Sequence, residues 1–134
     1  MDVELEHRRD RLNAISSVIL ASSIEVHGPM GPGLMESIYK HCLIAELRSR
    51  NISVEEEVPI KLYYRSMELH KMYRIDLLVE REIILKLKAE EGECTLYEAQ
   101  LLSYLKLADK RLGFLINFHV PLLKYGFKRL VNNF

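Results

Sequence analysis

The sequence predicts a single α/β domain of the α+β kind, with a mixed β-sheet flanked by helices. Three observations lead to this prediction: two helical stretches come first, strand-like segments fill the middle, and a further helix precedes a last apolar strand. At 134 residues, the chain has the length of one domain that can bury a sizeable core. We find no repeat, low-complexity tract or linker, and so we treat residues 1–134 as one domain.

The composition is that of an ordinary globular protein. Hydrophobic residues make up 49% of the chain and charged residues 28%. The count of Lys and Arg, 19, equals that of Asp and Glu, so the formal net charge is zero. Bulk electrostatics therefore predicts neither a nucleic-acid nor a membrane partner, and any basic surface must be a local patch.

The cysteines and the N-terminus favour a reducing setting. Cys42 and Cys94 do not make a disulfide framework, and we predict them to be buried or partly buried free thiols. The first nine residues contain no apolar signal core. The longest apolar stretches are far shorter than the ~20 residues that cross a bilayer. We therefore expect a cytoplasmic protein without a membrane partner.

The elements follow in the order helix, helix, three strands, helix, strand and one further edge strand. Glycines and prolines between residues 28 and 33 are predicted to end the first helix. Pro59 is typical of an edge strand or a bulge. The residues of the second helix predicted to face the core are Leu34, Ile38, Cys42, Ala45 and Leu47. The predicted ranges are 4–27, 34–50 and 94–108 for helices, and 52–64, 67–79, 83–89, 112–118 and 125–131 for strands.

The second and third strands form a hairpin if residues 80–82 are its turn. This register places one apolar set on one sheet face, and a slip by one residue would turn the whole set outward. It also embeds Asp76 in an apolar strand opposite a lysine, where a charge is costly unless it is paired or used. A cross-strand salt bridge and a functional site both remain open from the strands alone. The predicted pairs are Val79–Ile83, Leu77–Leu85 and Ile75–Leu87 on one face, and Leu78–Ile84, Asp76–Lys86 and Arg74–Lys88 on the other.

Six blocks of residues, in order along the chain, resemble one known family. The segment Gly33-Leu-Met-Glu36-Ser-Ile-Tyr39 matches the Gly-x-x-Glu-x-x-Tyr signature of the GxxExxY family, within the PD-(D/E)XK nuclease-like superfamily. The resemblance covers about residues 19–131. Its other blocks are Glu25-Val-His27 with Gly31-Pro-Gly33 and Ala45-Glu46-Leu47, Tyr73-Arg-Ile-Asp76-Leu-Leu-Val79, Leu87-Lys88-Ala89, Glu98-Ala-Gln100-Leu-Leu-Ser-Tyr104-Leu, and Gly113-Phe-Leu-Ile-Asn117-Phe118 with Gly126-Phe-Lys128-Arg129.

The resemblance implies a restriction-endonuclease-like core with a site at one end of the hairpin. In active relatives an aspartate and a glutamate bind Mg²⁺ or Mn²⁺, and a lysine helps to position or activate the attacking water. By this resemblance, Asp76 would be a metal ligand, Lys88 the lysine, and Glu36 a helix glutamate that completes the site. Gln100 and Tyr104 would face the metal site or the nucleic-acid backbone, or else belong to a helix face packed on the sheet.

Lys86 stands at the position of the motif glutamate. A unit charge pair at ~4 Å is worth about 4 kcal/mol at an effective dielectric near 20, and a dication roughly doubles that value. A lysine here removes an attraction and adds a repulsion of that order, so we expect metal binding to be weakened and catalysis to be impaired or lost. Three outcomes are open: Lys86 turns away and leaves Glu36 and Asp76 to hold a metal with Glu90 or Glu98, Lys86 pairs with Asp76 in place of the cation, or the lysine is a change introduced into the natural sequence.

Two further aromatic and histidine positions receive a structural interpretation. Tyr39 is predicted to be a core residue rather than a catalytic one. His119, where relatives usually have glycine, is predicted to be an exposed loop histidine.

Three functions follow as hypotheses. The first is a metal-dependent nuclease that acts on DNA or RNA, whose status as an enzyme depends on Lys86. The second is a non-enzymatic module in which nine basic residues line one groove and contact phosphates, unless they are scattered over a solvated surface. The third is self-association through an exposed strand edge, either residues 60–64 or the last strand. The nine basic residues are Lys61, Arg65, Lys71, Arg74, Lys86, Lys88, Lys124, Lys128 and Arg129.

Overall fold

A computed structural model describes residues 2–134, apart from the side chains of residues 70–72. Within that part of the chain, the element order is the predicted one, including the last edge strand. The five strands form one mixed sheet in the order β1-β2-β3-β4-β5, in which only β3 and β4 are parallel. The α+β class is therefore confirmed. The elements are α1 (Val3–Met30), α2 (Glu36–Ser49), β1 (Val54–Tyr64), β2 (Met67–Val79), β3 (Ile83–Lys88), α3 (Thr95–Leu107), β4 (Leu112–Asn117), a 3-10 turn (Leu123–Tyr125) and β5 (Phe127–Val131).

Apolar layers cover both faces of the sheet. On one face, Leu77 packs in a cluster with Leu12 of α1 and Leu43 of α2. On the other face, Ile84 packs with Leu101 of α3. The strands β3 and β4 lie at the centre of the sheet and are covered on both faces. Their sequences are therefore nearly continuous runs of apolar residues. The charged side chains of β3 are therefore exceptions that need a partner or a function.

Helix α1 runs three residues further than the sequence predicts. It passes through Gly28 and Pro29 and ends at Met30, where Gly31 takes a left-handed φ of 70° and its amide donates to the His27 carbonyl. Pro29 has no N–H to donate to the Glu25 carbonyl, and the last turn is closed instead by the bond from the Gly31 amide to His27. Although α1 has 28 residues, neither it nor any other helix of residues 2–134 is long and apolar enough to span a membrane.

Helix α2 buries a face that agrees only in part with the predicted one. Leu47 is buried and Cys42 packs partly buried against the core, as predicted, but Leu34, Ile38 and Ala45 are exposed, and for these three residues the prediction is wrong. The buried residues are Tyr39, Leu43, Ile44 and Leu47. This set also has helical spacing, and it brings the bulky ring of Tyr39 into the core, which removes more apolar area from water than the predicted set.

The β2–β3 hairpin has the predicted register as far as Leu77. The pairs Val79–Ile83, Leu78–Ile84 and Leu77–Leu85 are formed, and the ladder ends there. The predicted pairs of Ile75, Asp76 and Arg74 are not part of it. Ile75 also packs on the α3 side rather than beside Leu77, so the alternation of faces breaks at Asp76.

The β1–β2 ladder skips the same position. Its pairs run continuously in register on either side of Asp76, with Glu56 opposite Leu77 and Val58 opposite Ile75, but Glu57 and Asp76 do not pair. Glu57 has a left-handed φ of 52°, which is unfavourable for a residue with a side chain and incompatible with a regular strand. Asp76 therefore lies at a local irregularity on both sides of its strand.

The two edges of the sheet are β1 and β5. β1 carries Pro59, as predicted for an edge strand, and its pairing with β2 shifts register between Ile60 and Leu62. Self-association through either edge stays a prediction.

Candidate functional site

The Asp76 carboxylate occupies the place where the sheet ladders are interrupted. Its Oδ2 atom accepts a hydrogen bond from the Leu87 amide at 3.0 Å, and the same oxygen lies 3.8 Å from Lys86 Nζ. The Lys86 and Asp76 side chains are only 14% and 20% exposed. Because both side chains are mostly buried, either charge without the other would destabilise the protein. The pair therefore differs from a solvent-exposed salt bridge on the surface.

A second charge pair lies beside the first. Lys88 Nζ is 3.9 Å from Glu36 Oε1, and Glu36 is the first residue of α2. The ammonium group also lies 3.9 Å from the centre of the Tyr97 ring, a cation–π distance. Lys88 is thus held by α2 on one side and by α3 on the other.

The electrostatics of Glu36 tie the two pairs together. Partial burial raises the pKa of Glu36, and the nearby negative charge of Asp76 raises it further. Lys88, Lys86 and Lys40 act in the opposite direction. Since these charges are felt at one carboxyl, the side chains of residues 36, 76, 86 and 88 lie together, as the sequence predicts.

Tyr39 of the Gly-x-x-Glu-x-x-Tyr segment organises the approach to Glu36. The side chain is fully buried and its ring stacks on Phe118, with centroids 4.5 Å apart. Its hydroxyl donates to the Gly31 carbonyl and accepts from the Leu34 amide. The tyrosine therefore fixes the loop between α1 and α2, in agreement with its predicted role as a core residue.

Gln100 and Tyr104 lie on α3, at different depths. Tyr104 is buried among the residues that α3 packs on the sheet. Burial raises the pKa of Tyr104, and the charge of Asp76 raises it further, so its ring lies near the site. Gln100 is half-buried one turn earlier, and no hydrogen bond among the described residues joins it to the four charged side chains. The roles of both residues stay predictions.

Tyr97 is the residue that the sequence reasoning missed. It contacts Lys88 through its ring, and the nearby Glu90 carboxylate raises the pKa of its hydroxyl. The sequence does contain a signal for its position, because residues 97, 100 and 104 lie on one helix face at i, i+3 and i+7 spacing.

The other acids and the loop histidine have their own partners. Glu98 pairs with Lys128 of β5. His119, which is about one third exposed, lies 2.8 Å from the Pro32 carbonyl and 3.4 Å from a Glu91 carboxylate oxygen. Neither residue reaches the charged group around Asp76, although the predicted exposure of His119 is only partial.

Both cysteines are free, as predicted. Burial raises the pKa of Cys94, and the charge of Glu90 raises it further. A protonated thiol is a poor nucleophile and a poor metal ligand.

The residues present do not fit a two-carboxylate metal site. Asp76 and Glu36 are two carboxylates, but an ammonium group lies beside each of them. Among the described residues, no group of three or more His, Cys, Asp or Glu side chains is placed to hold a metal ion. A hard divalent cation needs several oxygen ligands, and here it would meet two positive charges in their place.

The basic residues do not line one groove. Lys61 lies on β1, and Lys128 and Arg129 lie on β5, at the opposite edge of the sheet. The sequence left open a single groove and a scattered, solvated distribution, and the strand order supports the scattered one. The Lys71 side chain lies outside the described residues.

The five-stranded mixed sheet lies between helices and carries an aspartate and a lysine on neighbouring strands, β2 and β3. A family model described as the PD-(D/E)XK nuclease superfamily matches residues 13–130, and the chain belongs to that superfamily. The narrower resemblance to GxxExxY proteins stays a prediction.

Neither a curated protein nor a solved structure matches the chain significantly.

Proposed function

We propose that this chain is a nuclease-fold protein in which Lys86 takes the place of a bound cation, so that metal-dependent hydrolysis of DNA or RNA is impaired or lost. One observation carries the proposal: the Lys86 ammonium lies 3.8 Å from Asp76 Oδ2, and both side chains are mostly buried. This geometry favours the second of the three outcomes that the sequence left open.

Charge balance supports the same conclusion. The group consists of two carboxylates and two ammonium groups, Asp76 and Glu36 with Lys86 and Lys88, whose formal charges cancel. A glutamate at position 86 would instead leave a net negative charge to attract a cation. If Lys86 turned away, the Asp76 carboxylate would be left without a partner in a poorly solvated place. Breaking such a pair costs more free energy than breaking a solvent-exposed pair.

A calorimetric titration with Mn²⁺ or Mg²⁺ tests the proposal. We expect the native protein to show no binding heat attributable to this site, and Lys86→Glu to bind at least about a hundredfold more tightly, since the exchange replaces a repulsion by an attraction of several kcal/mol. Lys86→Gln is the matched control, because it removes the positive charge without adding a carboxylate. The double variant Asp76→Asn/Lys86→Glu should lose what Lys86→Glu gains.

Cleavage assays with labelled DNA and RNA, single- and double-stranded, complete the test. Native protein should leave all substrates intact in Mg²⁺ or Mn²⁺. Metal-dependent cleavage by native protein that Asp76→Asn abolishes would overturn the proposal. Cleavage regained in Lys86→Glu would show that the rest of the site is competent.

A non-catalytic role in binding nucleic acid is the function that such a scaffold retains under this proposal. The protein-interaction alternative has no specific contact to support it and stays a prediction.

A further inference from the structure

The β1–β2 hairpin continues past the body of the sheet as a two-stranded arm, which we define as residues 59–74. The last described pair between β2 and β3 is Leu77–Leu85, so the part of β2 before Leu77 pairs with β1 alone. Ile60 anchors the base of the arm in the cluster under α3. From residue 63 to residue 68 every side chain is exposed.

The end of the arm presents aromatic rings to solvent. Tyr63 and Tyr64 are each 57% exposed. They precede a tight turn in which Arg65 and Ser66 both have left-handed φ angles, and the Arg65 guanidinium lies 5.4 Å from the centre of the Tyr64 ring. A single exposed aromatic side chain is ordinary, but two neighbouring ones beside cations form a surface that can bind a flat ring.

The arm is also strongly basic within a neutral chain. Residues 59–74 contain four Lys or Arg residues and one Glu, a net charge of +3. Among its described side chains, Lys61 and Glu68 form an ion pair at a separation of 4.0 Å. The glutamates of the opposite end of β1, residues 55–57, pair instead with Arg81 and Lys40. The charge of β1 is therefore divided along its length, with the positive end at the arm.

The base of the arm adjoins the charged site. The ring of Tyr73 lies 5.6 Å from that of Tyr104, and the pKa of Tyr104 is raised by the charge of Asp76.

We propose that the arm is a binding surface for single-stranded nucleic acid, which passes around its end so that Tyr63 on one face and Tyr64 on the other stack on bases while Lys61, Arg65 and Arg74 contact phosphates. Exposed aromatic faces with interspersed cations are what such ligands need, because base stacking is tolerant of sequence and the phosphates require positive charge. A duplex hides the base faces, so it could use the cations of the arm but not its tyrosines. The inference deepens the proposed function, on which it rests, by naming the partner.

Fluorescence anisotropy in EDTA tests the inference, with labelled oligodeoxythymidine and oligouridine and the same strands in duplexes. We expect native protein to bind the single strands more tightly than the duplexes. Tyr63→Ala and Tyr64→Ala should each weaken binding about fivefold or more, and Phe at either position should retain it, because the ring stacks without the hydroxyl.

The chain offers a matched control on another element. Tyr125 is 68% exposed and has Lys124 5.2 Å from its ring centre, the same arrangement as Tyr64 with Arg65. Tyr125→Ala should leave binding unchanged. Arg65→Gln should lower the magnitude of the slope of log affinity against log salt by about 0.7, and Lys124→Gln should not change it.

The possible results separate the two proposals. Because EDTA removes divalent cations, binding here is independent of whether Lys86→Glu gains a metal site. Absent binding, equal binding of duplexes, or full binding by a Tyr63→Ala/Tyr64→Ala protein that melts like the native one would overturn the arm proposal and leave the metal proposal standing. Loss confined to the arm variants, with Tyr125→Ala unaffected, is the result we expect.

Discussion

Asp76 shows how one side chain can replace backbone pairing. The ladders to β1 and β3 both skip this residue, and its carboxylate binds the Leu87 amide that would otherwise lack an acceptor in a buried strand. The same oxygen faces the Lys86 ammonium. The residue is therefore both a structural acceptor and the anion of an ion pair, and the two roles can be separated by substitution.

We expect Asp76→Ala to destabilise the protein by about 3 kcal/mol. It leaves a buried amide without an acceptor, at about 1–3 kcal/mol, and a mostly buried ammonium without its partner. Asp76→Asn retains an oxygen acceptor and should cost about half as much. Urea unfolding of both variants measures the difference. Equal losses would show that the Leu87 hydrogen bond contributes nothing.

The raised pKa of Glu36 predicts the pH dependence of a second variant. A carboxyl whose pKa is higher in the folded protein adds stability below its unfolded pKa, and this contribution is lost as pH rises through the folded pKa. Glutamine does not ionise, so the Glu36→Gln variant does not lose this contribution as pH rises. The free energy of unfolding of the variant, relative to that of the native protein, should therefore increase from about pH 4 to pH 7. The change should stay well below 1 kcal/mol, since Glu36 is about half exposed. A relative stability that falls over this range contradicts the pKa shift.

The charged residues of the site were predictable because a charged side chain in an otherwise apolar strand is costly unless it is paired or has a function. Asp76 and Lys86 stand out in runs of Leu and Ile, and the resemblance added Glu36 and Lys88. Tyr97 was not found, because an aromatic residue on an amphipathic helix is usually part of the packing, and its contact with Lys88 depends on how α3 lies on the sheet.

At the scale of elements, order and register were more predictable than orientation. The apolar pattern of the hairpin predicted three pairs of β2 and β3 correctly, with Leu77 and Leu85 on one covered face and Leu78 and Ile84 on the other. The α2 face was predicted only in part because its sequence offers two helical stripes of similar length. Tyr39 determines which of the two stripes is buried, because its hydroxyl forms hydrogen bonds only with the folded loop between α1 and α2.

The turn between β2 and β3 carries a strain that one substitution should relieve. Glu80 and Arg81 both have left-handed φ angles, of 51° and 58°, without being glycine. Arg81→Gly should stabilise the protein by about 1 kcal/mol, because glycine adopts this conformation without a Cβ clash. The salt bridge to Glu55 that it removes is solvent-exposed and contributes little.

Thermal unfolding measures this effect, and Arg81→Ala is the control. Alanine also removes the salt bridge but keeps the Cβ, so Arg81→Ala should not be stabilised. If both variants behave alike, the backbone conformation is not the cause.

For the molecule as a whole, the sequence led to the α+β class and to the succession of helices and strands. The spatial distribution of the basic residues could not be predicted from the sequence, because it depends on which strands lie at the edges of the sheet. With β1 and β5 on opposite sides of the sheet, the cations divide between the arm and the far edge. Net neutrality of the chain thus coexists with a local excess of positive charge.

The hydrogen bond from the Leu87 amide to Asp76 limits what any redesign of the site can achieve. Oδ2 already accepts from the Leu87 amide, so a cation at this oxygen would have to share it with that hydrogen bond, whereas Oδ1 has both of its lone pairs available. In Lys86→Glu, the aspartate should therefore coordinate chiefly through Oδ1. A monodentate aspartate leaves more of the coordination sphere to water and to the other carboxylates, so the regained site should favour ions that retain part of their hydration shell.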